Sequence, residues 1–233
     1  MTTTDRNAIE SPATGLIIYN TTTNSLQLFA GSGWVALSTP ASTAVFLPTI
    51  VIGTQQWMSK NLDVAFYRNG DPIPQVIDPT AWATLTTGAW CYYNNDPTIG
   101  TKYGKLYNWY AVNDARGLAP QGWHIPSDAE WTTLSTTLGG DLVAGGKMKE
   151  AGLLNWTTPN TEADNNSGFA GLPGGFRNYD GAFFFVGGFG YWWSSTETST
   201  TYAWFRSLYY NDGVLYSYYY NKQDGFSVRC LRD

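Results

Sequence analysis

Charge is the first thing this chain is short of. Of its 233 residues only 13% are charged, 13 basic against 18 acidic, leaving a net charge of −5. No basic run interrupts that balance, so the electrostatic footprint of a nucleic-acid-binding protein is absent. Histidine is limited to His124. A metal site shared by two histidines is therefore excluded, and a histidine-dependent triad would have to use this one residue. Its neighbours Trp123, Ile125 and Pro126 read as packing, so His124 is expected to be structural. Cysteine is limited to Cys91 and Cys230, too few for a disulfide scaffold. Two buried thiols are the simpler reading, with a single bridge open in an oxidising setting. No apolar run approaches the ~20 residues of a membrane span. The start MTTTDRNAIESP has no charged end followed by an apolar core, so no signal peptide is expected. An extracellular role would then need another route, such as assembly into a phage particle.

What the chain has instead is aromatic residues, at 16%, and 25 glycines. That composition is the opposite of a disordered one and points to a compact, loop-rich fold with much aromatic packing. Residues 1–44 read as a β-rich appendage: Leu16–Tyr19, Leu26–Phe29 and Trp34–Leu37 suggest short strands around the turn clusters Asn20–Asn24 and Gly31–Gly33. Three short strands bury little by themselves, so this unit is expected to tether or oligomerise. Ser38–Ala44 reads as a linker of small residues, and residues 45–233 as the main domain. There, strands are expected around Ile50–Gly53 and Gln56–Met58. A helix is expected over Tyr103–Ala115 from the spacing of Leu106, Trp109, Tyr110 and Val112. A second helix follows the S-x-x-E capping box of Ser127 and Glu130 and stops at Gly139-Gly140, and a short third one is expected through Lys147–Glu150. From Gly168 onward the chain is strand- and loop-rich, which makes the domain α+β.

The segment between Thr198 and Asn221 is the most unusual. Tyr209, Tyr210, Tyr216, Tyr218, Tyr219 and Tyr220 crowd it, mixed with Asn, Ser, Thr and Asp, between the blocks WWSSTE and GFSVRC. Buried phenols each need a partner, whereas exposed Tyr with Ser and Asn is the chemistry of a recognition surface. If 216–220 is a strand, Tyr216, Tyr218 and Tyr220 share one face and Ser217, Tyr219 and Asn221 the other. A stacking ladder that merely stiffens a Gly-rich fold remains open beside the binding reading.

The blocks IGTQQWMSKNLDV (52–64), YGKLYNWYAV (103–112), GWHIPSDAEW (122–131), GGKMKE (145–150), SGFAGLPGGFRNYDG (167–181), YWWSSTE (191–197) and GFSVRCLRD (225–233) together resemble the Fibrobacter succinogenes major paralogous domain. The resemblance implies a C-type-lectin-like fold, shared with formylglycine-generating enzymes, with two helices, short antiparallel sheets, and N- and C-terminal strands close together. Those enzymes act through a cysteine pair. Here Cys91 and Cys230 lie far apart in sequence and outside any recognisable catalytic motif, so no enzymatic activity is expected. The N-terminal stretch is similar to short repeats in tail fibres and other surface fibres of phages and Bacteroidetes, which implies a virion or cell-surface location and a possible homotrimer. The tail resembles the variable region of proteins diversified by diversity-generating retroelements. On that likeness the ligand-binding positions are Thr198, Ser199, Thr200, Thr201, Tyr202, Trp204, Phe205, Ser207, Tyr209, Tyr210, Asn211, Asp212, Val214, Tyr216, Tyr218, Tyr219, Tyr220, Asn221 and Asp224. The expected partner is a protein or glycan on a target cell surface, with a carbohydrate-binding module as the alternative.

Other constellations are weaker. Glu162, Asp164, Asn165 and Asn166 offer oxygen ligands to a structural calcium but lack EF-hand spacing, and read first as a polar turn. Glu162 and Glu197 could be imagined as a glycosidase pair, though nothing in the sequence fixes their separation. The Gly-rich stretch 171–190 is no phosphate loop, because no Lys-Ser/Thr follows. No cofactor is expected.

Overall fold

The computed structural model describes residues 1–23, 25–36 and 48–233. The chain divides into two compact units, Met1–Phe46 and Leu47–Asp233. Asn24, Leu37, the linker expected at 38–44 and the junction at 44/45 lie outside the described residues.

The first unit opens with a short helix, α1 (Thr3–Asn7), closed by a capping box between Thr2 and Asp5. Three strands follow, β1 (Ile17–Asn20), β2 (Ser25–Phe29) and β3 (Trp34–Ala36), in an antiparallel meander. The meander inverts the usual distribution of polarity. Asn20, Ser25 and Gln27 are buried, with Asn20 Nδ2 donating to Gln27 Oε1 at 3.0 Å, while Ile17, Leu26 and Val35 are exposed. The register pairs Ile17 with Leu28 and Leu28 with Val35, so the exposed apolar side chains share one face.

The second unit has helices and antiparallel sheets in alternation, an α+β domain. β4 (Thr49–Ile52) and β5 (Gln55–Met58) form a hairpin. Next come α2 (Pro79–Ala83), capped by Asp78, and β6 (Trp90–Cys91). The helix expected over Tyr103–Ala115 is broken. In its place stand α3 (Pro97–Tyr103), β7 (Leu106–Tyr107) and a single turn, α4 (Trp109–Val112). Gly104, at φ +77°, stops α3, and Asn108 restarts the helix by accepting from Ala111 N–H. Leu106 and Tyr107 are buried not along a helix stripe but by pairing with β6, and Tyr107 also bridges Phe226. Three- and four-residue spacing was thus satisfied by two different elements.

β8 (Trp123–His124) precedes α5 (Asp128–Thr137), which begins at the Ser127–Glu130 capping box as its sequence indicates. Gly139 and Gly140, both at positive φ, end it and open α6 (Asp141–Met148). The third helix therefore lies earlier than the 147–150 expected. Gly145 has to be glycine, since a Cβ there would stand 2.3 Å from the Val214 carbonyl oxygen. Five strands complete the chain: β9 (Gly174–Arg177), β10 (Phe183–Val186), β11 (Phe189–Glu197), β12 (Tyr202–Tyr209) and β13 (Leu215–Asn221), before a last short one, β14 (Leu231–Arg232). β14 enters between β5 and β8, so the first and last strands of the unit share a sheet.

The β11-β12-β13 sheet lies between two hydrophobic clusters. Trp193 and Phe205 join one, with Tyr107, Tyr191 and Phe226, while Trp192, Leu208 and Leu215 join the other, with Trp57, Trp131 and Phe169. Burial on both faces is why Tyr191, Trp192 and Trp193 follow one another without a polar break. Buried cations fasten the loops around it, mostly through backbone oxygens. Arg177 donates to the carbonyls of Val76, Ile77 and Gly181, and Arg229 to those of Met58 and Phe169. Arg206 pairs with Asp128 at 2.6 Å, tying β12 to the first turn of α5.

Candidate ligand-binding surface

The tyrosine-rich segment forms β12, β13 and the turns at their ends. Its strand register pairs Ala203 with Tyr220, Phe205 with Tyr218 and Ser207 with Tyr216 on one face, and Tyr202 with Asn221 and Trp204 with Tyr219 on the other. The alternation along 216–220 therefore splits these residues as strand geometry requires.

Nine of the nineteen candidate positions are exposed: Thr198, Ser199, Thr200, Thr201, Tyr202, Asn211, Tyr218, Tyr219 and Tyr220. Trp204, Tyr209, Tyr210, Asp212, Val214, Tyr216 and Asn221 are half-buried. Phe205, Ser207 and Asp224 are corrected, because all three are buried and cannot meet a ligand directly. Phe205 packs into the core with its ring tilted against Phe226 at 4.8 Å, and Ser207 is covered between its neighbouring strands. Asp224 accepts from Tyr179 N–H at 2.7 Å, and burial pushes its carboxyl up to about 8. The likeness to a variable region treated these positions like their exposed neighbours. Phe205 and Ser207 lie on β12 and Asp224 in the bend after β13, and packing from elsewhere in the chain makes them different.

The exposed tyrosines stand on a held frame. Tyr218 is 47% exposed, Tyr219 57% and Tyr220 41%. At the start of β12, Ser199 Oγ accepts from Thr201 and Tyr202 N–H in a tight polar turn. Lys222 closes that end by pairing with Glu197 at 2.6 Å and lying 4.5 Å over the Trp109 ring. At the other end, Lys149 Nζ donates to the carbonyls of Thr161, Tyr209 and Asp212. Glu162 sits against Gly213 at this same end, so Glu162 and Glu197 lie at opposite ends of β12 and are not brought together.

One face carries a closed ring of aromatic contacts. Tyr209 stacks on Tyr216 at 4.5 Å and Tyr216 on Tyr218 at 5.7 Å. Phe205 links Tyr218 to Tyr220, and Phe176 continues from Tyr220 to Phe185, which returns through Phe189 to Tyr209. Tyr191 lies inside the ring, in contact with Phe176, Phe189 and Phe205. Burial, with the phenols of Tyr209 and Tyr220 nearby, raises its pKa beyond the ordinary tyrosine range. Phe184 and Phe185 were not among the expected site residues. Alternation would send them to opposite faces, yet both rings reach Phe176, at 5.7 and 6.0 Å. Phe185 does so at φ +67°, a conformation that a bulky side chain rarely adopts. Both are exposed and extend the tyrosine face. The run FFFV after a Tyr-Asp-Gly turn was the one signal available.

The remaining candidates lie elsewhere. Cys91 and Cys230 are free and buried in separate clusters, and burial pushes both thiols up to about 12. His124 lies between two carboxylates, with Nδ1 2.8 Å from Asp233 and Nε2 2.9 Å from Glu130. Partial burial works against its cation, but the two carboxylates outweigh it and raise the pKa. The same imidazole lines a cavity of about 400 Å³ with Arg68, Leu118, Ile125 and Ser195. In the 161–168 loop, Asp164 accepts from Asn166 N–H and Asn165 from Ala170 N–H, so both serve turns. Among the described residues, no group of three or more His, Cys, Asp or Glu could hold a metal ion. No described helix is long and apolar enough to cross a membrane.

An α+β domain with a pegged tyrosine surface, preceded by a small apolar-faced meander, is the class of protein that this fold and site define. Residues 50–232 match the Fibrobacter succinogenes major domain, and the chain belongs to that family. Residues 1–51 match the phage tail like trimerisation region. No curated protein and no solved structure matches the chain.

Proposed function

We propose that this chain is a non-enzymatic ligand-binding protein of a phage tail fibre or bacterial surface, whose lectin-like domain displays a diversified tyrosine surface. The observation that carries the reading is the exposure of Tyr218, Tyr219 and Tyr220 in succession on a strand whose frame is buried and pinned. Side chains that the fold does not need can vary without unfolding it, which is what diversification by a retroelement requires. Rigid aromatics also bind at low entropic cost. The similarity of residues 1–51 to a trimerisation region, with the exposed apolar face of Ile17, Leu26 and Val35, supports a homotrimer as the display form. Three copies on one fibre would raise weak single-site affinity by avidity.

The test combines the gene with the protein. A near-identical template repeat beside the gene, differing at adenines that map to codons of the exposed positions, with a reverse-transcriptase gene nearby, supports the reading. Absence of both removes the diversification. Binding to protein and glycan arrays should fall when Tyr218, Tyr219 and Tyr220 are changed together to Ser, and unchanged binding would sink the assignment of the surface. A carbohydrate-binding module is the second reading, favoured by the stacked rings of Tyr209, Tyr216 and Tyr218, since such faces also pack on sugars.

A further inference from the structure

We propose that the outer edge of β13 binds its partner by strand addition, so that the ligand is an extended segment of another polypeptide. The inference rests on the binding reading above and names the ligand class. β13 is an edge strand, paired with β12 alone. In an antiparallel pair, residues alternate between those that exchange backbone hydrogen bonds with the neighbour and those that point away. Lys222 N–H donates to the Thr201 carbonyl at 2.9 Å, which fixes the phase. With the register of Tyr202 opposite Asn221 and Ala203 opposite Tyr220, the backbones of Tyr216, Tyr218 and Tyr220 face β12. Those of Ser217 and Tyr219 face outward, and among the described residues neither finds a backbone or side-chain partner.

The usual protections of such an edge are missing. Leu215–Asn221 contains no Pro and no charged residue. α6 covers only its beginning, where Gly146 N–H donates to the Gly213 carbonyl at 2.9 Å. Unpaired N–H and C=O groups two residues apart match the spacing of another extended backbone. An added strand would project alternate side chains beside Tyr218 and Tyr220 on one face and beside Tyr219 on the other, with Tyr202 and Trp204 one strand further in. Main-chain bonds would then supply the general affinity and the tyrosines the selectivity, so diversification could change the target while the docking mode stayed fixed.

The probe is a displayed library of random dodecapeptides selected on the full chain, with affinities of the enriched peptides then measured for two variants. Tyr219→Pro removes the outward N–H without touching the bonds to β12, a place where an edge strand tolerates proline. Tyr219→Ala removes the ring and keeps the N–H. Strand addition predicts that Tyr219→Pro binds about tenfold or more weakly than Tyr219→Ala. Equal losses overturn it, because recognition would then be by side chains alone. Should Tyr219→Pro melt far below the parent chain, the same readout comes from the ligand side: N-methylation at alternate residues of the peptide should abolish binding in one phase and spare it in the other. A change of oligomeric state in Tyr219→Pro, seen by light scattering, would mean that a second copy covers the edge and would also overturn the proposal. If no peptide is enriched while glycan binding still depends on Tyr218 and Tyr220, strand addition fails and the binding surface stands.

Discussion

Lys149 holds Asp212 by its backbone: Nζ donates to the Asp212 carbonyl at 2.7 Å and, with the same charge, to the carbonyls of Thr161 and Tyr209. The ammonium thus fastens the β12–β13 turn from beneath, while the Asp212 carboxylate accepts from Val214 N–H and Tyr216 OH within it. Burial lowers the Lys149 pKa to about 8, with Asp212 and Glu162 pulling it back up.

Removing that peg should loosen the displayed surface. Lys149→Met leaves three carbonyls without their donor, and the expected cost is about 3 kcal/mol. Urea unfolding measures it, and faster hydrogen exchange in 209–214 than in β11 would show that the damage is local.

Buried and exposed candidate positions should separate cleanly in stability. Phe205→Ala should cost about 3–5 kcal/mol, as for other buried phenylalanines. Ser in place of Tyr218 or Tyr219 should cost within about 1 kcal/mol, because each residue is about half exposed. Thermal melts of the single variants give the comparison. Equal costs would mean that the exposed rings are a structural ladder.

Asp224 sets a pH dependence. Its folded pKa, raised from 3.8 to about 8 by burial, lies above the unfolded value, so the folded chain keeps a proton that the unfolded chain has lost. That stability is fully present below the ordinary carboxylate range and is lost as pH rises through about 8. His124, also raised, adds a decline of the same sign as pH rises above its ordinary value. Asp224→Asn should flatten most of the fall in urea midpoint from acid to mildly alkaline pH, and His124→Gln only the part near neutrality.

The inverted meander predicts where assembly can be broken. A carboxylate at Leu26 or Val35, both exposed on the apolar face, should convert the proposed trimer to monomers without unfolding the second unit. Light scattering reads the mass, and near-ultraviolet circular dichroism of the tryptophan-rich core reads the fold.

Local chemistry was legible wherever a few neighbouring residues decide the outcome. The Ser127–Glu130 box started a helix, and the Gly139-Gly140 pair ended it by positive φ. The strands of the meander followed turn residues and alternation. The tyrosine run announced a surface because so many phenols cannot all be buried with partners. Lys149, Arg177 and Arg229 were not legible as pegs, because most of their partners are backbone carbonyls distant in sequence, which carry no residue signature.

The sequence by itself determined the α+β class, the capped helix and the aromatic segment set between WWSSTE and GFSVRC, since each rests on contacts within a few residues. Only the tertiary structure decided which of those aromatics face water. Phe205 and Ser207 sit on a strand with exposed neighbours and Asp224 in the bend after β13, but residues from elsewhere in the chain cover all three. Tyr103–Ala115 has helical spacing, but a sheet partner claims Leu106 and Tyr107. Burial is a property of what arrives from elsewhere in the chain, and periodicity reports only which side a residue faces.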